Sequence, residues 1–426
     1  MADMFDYLDW FGDFDFDHVP FNEVDNIILS QLSYLKLDNV LSTCEFLDTS
    51  EVWHRFSTQK VLPSTGPLIS DRTNELLGYM VKSGQRFANA KLGYYETRFD
   101  EEAREQFAAL TLYLSDGSSY LSFRGTDDSL VGWIEDCDIS YSIVPAQKDA
   151  LAYLRQIASL TDGPLRVGGH SKGGNLAAYA VAMAPELDER IIELWCNDSP
   201  GFDDAVLPLS TFERLRERTH LFTPEYSLVA GLFSHAVEPV LVKSSAQGVM
   251  EHSAVNWQVM RDKLVRGDAV RQASVHVGQA FNELLASLDL QGRKKFVDEL
   301  YQAFISHDIH DLAGIMGQSP AGIRAVTDSL NSLDENSKHI INSFLWNTMG
   351  GAVRGAAEES AEQTAKALAP VAKAVNVALS EAGEKTKQTL AVWKAQTEAR
   401  IEGLQTSTVQ DRSLPSPPNK TDAKTD

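Results

Sequence analysis

The chain has 426 residues, 43% of them hydrophobic, which is enough for a sizeable core and suggests two or three structural units. Its 38 basic and 60 acidic residues leave a net charge of −22, which argues against nucleic acid and anionic membrane surfaces as main partners. Three cysteines, Cys44, Cys137 and Cys196, lack the C-x-x-C spacing and point to a reduced compartment. No basic-then-apolar leader and no apolar run of about 18 residues is visible, so the expected location is the cytoplasm, with no membrane span.

Residues 1–36 are acidic and aromatic. Phe5, Tyr7, Trp10, Phe11, Phe14 and Phe16 interleave with Asp6, Asp9, Asp13, Asp15 and Asp17. The aspartates lack the glycine and closing glutamate of a calcium loop, so the segment reads as one that docks its aromatics on the body. Val24, Ile27, Ile28, Leu32 and Leu35 then share one helical face. Residues 37–66 read as an irregular cap or loop, and 68–83 as a helix.

Leu92–Phe99, Leu110–Leu114 and Ser119–Phe123 read as strands, the last two joined at Asp116-Gly117, a strong hairpin signal. Val131–Asp136 reads as a short helix, residues 146–160 as a longer one, and Leu165–Val167 as a strand. Next comes Gly169-His170-Ser171-Lys172-Gly173, a G-x-S-x-G pattern followed by the apolar helix Leu176–Ala184. Strand, tight turn and helix with serine at the turn is the setting of a nucleophile elbow. Further strands are expected at Arg190–Cys196, Thr219–Phe222 and Pro239–Ser244, with a helix at Leu209–Arg216. Alternating strands and helices imply a mainly parallel sheet.

The expected divisions are an N-terminal arm and cap (1–66), an α/β core (67–262), a helical extension (263–345), an Ala-rich helical region (346–404) and a disordered tail (405–426). In the Ala-rich region Ala361, Ala365, Leu368, Ala372, Val375, Leu379 and Ala382 form a heptad-like stripe, a possible self-association surface within 350–400.

A serine nucleophile requires a base, a group that orients it, and donors for the oxyanion. In α/β-hydrolases the order is Ser, acid, His. Of ten histidines only His252 falls just beyond the last strand, so it is the candidate base; His235 precedes that position. The acid stays open among Glu225, at the end of the second strand after the serine, Asp198, at the end of the first, and Asp203. The oxyanion donors would be the Lys172 backbone N–H and Thr126, through its N–H and hydroxyl.

Phe123-Arg124-Gly125-Thr126, Trp133-x-x-Asp136 and Gly169-His170-Ser171-Lys172-Gly173-Gly174 together resemble the class 3 lipase group of α/β-hydrolases. With Pro20–Asp25, Ser33-Tyr34-Leu35, Asn197–Phe202, Gly248–His252 and Trp257, the run is similar to an uncharacterised bacterial lipase-like family. The resemblance covers about residues 3–310. It implies an α/β-hydrolase fold, Ser171 as nucleophile and an oxyanion role for Thr126, but no particular substrate. Two departures stand out. Lys172 occupies a position that is usually apolar, where it would greet an anionic substrate or pair with a carboxylate. The lipases' Asp-x-Val acid is matched here by Ser227-Leu228-Val229. The expectation is therefore an esterase or lipase-type hydrolase that cleaves an acyl ester or binds a lipid, without metal or cofactor. The alternative is a non-catalytic hydrolase-like scaffold that binds lipid or protein.

Overall fold

The computed structural model describes residues 1–59 and 69–342, apart from 312, 313, 316, 317, 319, 332, 336, 339 and 340. The Ala-rich region, its stripe, the tail and the Pro63–Pro67 turn lie outside the described residues.

An eight-stranded sheet holds β1 (Phe46–Asp48), β2 (Lys91–Asp100), β3 (Glu105–Tyr113), β4 (Ser119–Phe123), β5 (Leu165–His170), β6 (Ile191–Asn197), β7 (Thr219–Pro224) and β8 (Val240–Val242), in that spatial order. The first three pairings are antiparallel and the four from β4 to β8 are parallel. The β3–β4 connection turns at Gly117, whose φ of 81° suits a residue without Cβ. The strands from β4 onward are added in one direction, so right-handed crossovers lay their helices on a single face. That face is covered by α6 (Pro145–Leu160) and α7 (Lys172–Ala182), packed on Phe107, Leu121, Phe123, Val167 and Leu194.

The opposite face would be bare. The N-terminal segment covers it with α1 (Met4–Phe11), α2 (Glu23–Leu32) and α4 (Thr73–Lys82), packed on Leu110, Leu112, Tyr120 and Trp195. Alternate residues of β3 and β4 thus enter two different cores, as strand periodicity requires. The aromatics dock as expected: Phe5, Tyr7 and Phe16 are buried, while Trp10 and Phe14 stay half exposed. Part of the segment's acidity serves its helices. Asp3 with Asp6, and Asn22 with Asp25, form capping boxes at the starts of α1 and α2. Asp25 is fully buried, accepts from Tyr7 Oη at 2.9 Å and forms a bidentate pair with Arg86. The Val259 N–H to Ala2 carbonyl bond, at 2.9 Å, ties the start of the arm to the body.

Residues 37–59 are less irregular than expected. β1 extends the sheet beside β2, and α3 (Thr49–Ser57) buries Val52 and Phe56 one turn apart. Leu209–Arg218 coils in 3-10 turns instead of an α-helix, burying only Phe212 and Leu215. After β8 a small hairpin forms from β9 (Val259–Met260) and β10 (Lys263–Leu264), where helix was expected from residue 263.

The helices then follow: α8 (Gln272–Ala286), α9 (Leu290–Ser306) and Pro320–Asp328. Their apolar faces form a third core with Leu130 and Ile134 of α5 (Leu130–Asp138). One backbone pairing fastens this layer beside the start of α5: Ser129 bridges antiparallel to Asp311, with Leu130 N–H donating to His310 O. Among the described residues no helix is long and apolar enough to cross a membrane.

Candidate active site

β5 delivers the chain to Ser171 and α7 carries it away, so the turn between them has one residue. Ser171 adopts φ 58°, ψ −134°, a conformation that costs a non-glycine residue strain and persists only where the surroundings enforce it. The enforcement is steric. A Cβ on Gly173 would sit 2.0 Å from Phe123 O, and one on Gly169 would sit 2.4 Å from the Gly173 main chain. The two glycines thus let β5, α7 and β4 converge, and Ser171 N–H is fixed on Asn197 O at 2.9 Å.

Asn197 ends β6 opposite His170, so Asp198 emerges from the sheet edge next to Ser171. Its φ of 45° is again left-handed, a region aspartate tolerates better than most residues. The carboxylate is fully buried. Its Oδ2 lies 2.6 Å from His252 Nδ1, and its Oδ1 accepts from Ser227 Oγ. A carboxylate only accepts, so Nδ1 carries the imidazole proton and Nε2 is left with a free lone pair. The Ser171 hydroxyl and His252 Nε2 make no hydrogen bond to another described residue.

The structure therefore brings Asp198 to His252, and places Glu225 elsewhere. Glu225 Oε1 accepts from Asp268 N–H at 2.8 Å, and its other oxygen faces Arg271 at 3.9 Å. Asp203 is held by Arg293 at 2.6 Å. Ser227, the residue standing where an Asp-x-Val acid was expected, donates to the Asp198 carboxylate instead. It is secured in turn by Ser274 of α8, through bonds in both directions.

Lys172 is fully buried and donates to Glu135 Oε2 at 2.7 Å and to Gln106 O and Oε1 at 2.8 Å each. All three ammonium protons are used, so its side chain is paired with a carboxylate and does not meet a ligand. Gly125 lies against Ser171: a Cβ there would lie 2.9 Å from Ser171 Cβ and 2.5 Å from His170 O. Thr126 follows it, with Oγ1 donating to Asp136 Oδ2 at 2.5 Å.

Burial pushes the Asp136 carboxyl up to about 6 from an ordinary 3.8, against the opposing pull of Lys172 and the Thr126 hydroxyl. The folded protein then holds a proton that the unfolded chain has released, so this group's contribution to stability falls as pH rises from about 4 to about 6. Asp136→Asn is expected to remove that slope. Urea midpoints across this range test it, and an unchanged pH dependence in the variant would contradict it.

Sequence reasoning did not assign roles to Tyr34, Gln106, Glu135 or Ser227. Tyr34 and Glu135 lie within or beside the quoted motifs, but nothing in a sequence says that Tyr34 Oη reaches His170 Nδ1, 2.8 Å away and 136 residues on.

The sheet order, the strained serine between β5 and α7, and the carboxylate–histidine pair at the ends of the parallel strands define an α/β-hydrolase-fold protein. Within that class the chain belongs to the Mbeg1-like family, whose sequence profile matches residues 81–302, more than half of its length. No curated protein matches it. Among solved structures it is similar to a mutant form of MDLA from Penicillium cyclopium, at 14% identity over 64% of this chain and 88% of that one. It is also similar to a structure described as a fungal lipase, at 16% identity over 57% and 84%. Both superpose with a TM-score of 0.34, so the fold assignment rests on the topology above.

Proposed function

We propose that the protein is a serine hydrolase of the lipase or esterase type, cleaving a carboxylic ester through an acyl-enzyme on Ser171. The observation that carries this reading is the His252–Asp198 pair: it fixes the imidazole as the tautomer with a bare Nε2, at the edge where a strained serine is presented. His252 Nε2 would take the Ser171 proton as Oγ attacks the ester carbonyl. The backbone N–H of Lys172 and the N–H of Thr126 are the candidate donors to the resulting oxyanion. The tetrahedral adduct collapses when imidazolium returns the proton to the departing alcohol, leaving an ester on Ser171. Water, deprotonated by the same Nε2, then attacks, and the acid leaves as the serine is regenerated.

The Thr126 hydroxyl is directed to Asp136, which orients the residue and leaves its N–H for the oxyanion. The buried Lys172–Glu135 pair joins the elbow helix to α5, so the two candidate donors are held on one braced unit. A panel of p-nitrophenyl esters from acetate to palmitate tests the reading. Turnover of at least one chain length by the wild type, lost in Ser171→Ala, is expected. Equal residual rates in both proteins for every ester would overturn it.

A further inference from the structure

We propose that His170, the residue before the nucleophile, is a positioning residue for the general base, acting through the main chain of His252 under the control of Tyr34; this rests on the hydrolase reading above. His252 ends a short 3-10 turn, Gly248–His252, inside the long connection between β8 and β9. Within the turn the Ser253 N–H to Met250 O contact is long, 3.4 Å, while the residues before His252 are held from outside it: Trp257 Nε1 donates to Glu251 O at 2.8 Å and Asn256 Nδ2 to Met250 O at 3.1 Å. Asp198 orients the imidazole ring but does not hold the backbone that carries it. The His252 carbonyl itself is held by His170, whose Nε2 lies 2.7 Å from its oxygen.

A carbonyl only accepts, so His170 Nε2 carries the proton and its Nδ1 is bare. Tyr34 Oη, 2.8 Å away, donates to that Nδ1 and so selects the tautomer that can hold His252. His170 is fully buried, and burial, with the neighbouring His252 as the second cause, holds its pKa well below the ordinary imidazole value. It stays neutral at working pH and keeps one donor and one acceptor, each of which has a partner. The two imidazoles lie 4.5 Å apart, centroid to centroid.

The consequence is geometric. Ser171 and His170 are consecutive on the elbow, so nucleophile and base are referenced to the same rigid turn. Tyr34 ties in the oxyanion loop as well, because a Cβ on Gly125 would lie 2.2 Å from its hydroxyl. One tyrosine from the N-terminal segment therefore touches the supports of nucleophile, base and oxyanion loop. Loss of such positioning costs turnover more than binding.

The test uses full-length protein, a fluorophosphonate probe and the best ester of the panel, with His170→Leu, His170→Gln and Tyr34→Phe. Glutamine places an amide donor close to the position of imidazole Nε2, whereas leucine offers none. His170→Leu is expected to lose on the order of 100-fold in kcat with KM within about twofold, as for a base displaced by about 1 Å. His170→Gln should recover most of that loss, and Tyr34→Phe should fall between them. Wild-type kcat in His170→Leu would overturn the positioning role and leave the hydrolase reading standing. So would a His170→Gln as slow as His170→Leu at the same melting temperature. If His170→Leu does not fold, His170→Gln and Tyr34→Phe decide: wild-type rates in Tyr34→Phe overturn the proposal. A wild type that reacts with neither probe nor ester overturns the hydrolase reading, and this role falls with it.

Discussion

Asp198→Asn is expected to lower kcat by about three to four orders of magnitude while leaving KM nearly unchanged. The loss follows from the tautomer. Asparagine can turn its amide nitrogen toward His252 Nδ1, which then accepts, and the imidazole proton moves to Nε2. The ring remains in place but offers no lone pair to the Ser171 hydroxyl. Asp198 is fully buried and Ser227 occupies its second oxygen, so water has little access to restore the original state. Glu225→Gln is the matched control, because Glu225 serves Asp268 N–H and Arg271 and makes no hydrogen bond to His252. It should keep kcat within about twofold, as expected of a group outside the reacting unit. Steady-state kinetics on a single ester compares the two. A large loss in Glu225→Gln with a small one in Asp198→Asn would reassign the acid.

Lys172→Met is expected to destabilise the fold by about 3–5 kcal/mol, the range for breaking one side of a buried ion pair. The cost arises on the partner that remains. Glu135 would keep the Gln106 and Ala146 N–H groups, each at 3.1 Å, but lose the buried cation that balances its charge. A lysine in the first turn of α7 also opposes the helix dipole, so helix stability does not account for it. Its place is explained by Glu135 of α5, 37 residues earlier in the chain. Adding Glu135→Gln to Lys172→Met should recover much of the loss, since the two residues interact and their effects are not additive. Urea unfolding of the four proteins of the cycle measures this. Additive losses would show that the pair does not act as a unit.

The strand–serine–helix arrangement at Ser171 was legible because its glycines and flanking apolar runs are local signals. The β3–β4 turn was legible for the same reason, through Asp116-Gly117. The position of His252 at the carboxyl edge was legible from chain order, since only one histidine falls just beyond the last strand. Which carboxylate meets it was not. Neighbouring parallel strands run about 4.8 Å apart, so carboxylates at the ends of β6 and β7 are close in space and equal in chain order. What separates them is the left-handed φ at Asp198 and the direction of each side chain, neither of which the sequence displays. Ser227 shows the same limit from the other side. The sequence presents it as a missing acid, whereas the structure uses it to hold the carboxylate supplied by the adjacent strand.

The N-terminal arm was legible as a docked aromatic segment, but not its task. That task follows from topology. Strands added in one direction leave a face uncovered, and α1, α2 and α4 cover it, which brings Tyr34 beneath the elbow. β1 and α3 carry no legible signal, because a three-residue edge strand and a nine-residue helix hold too few periodic positions.

The most direct test is reaction of the full-length protein with a fluorophosphonate, followed by mass spectrometry of the intact protein and of the peptide containing residue 171. One phosphonyl adduct per chain, located on Ser171, is expected, and no adduct on Ser171→Ala. An unlabelled wild type, or equal labelling of wild type and Ser171→Ala, would contradict it.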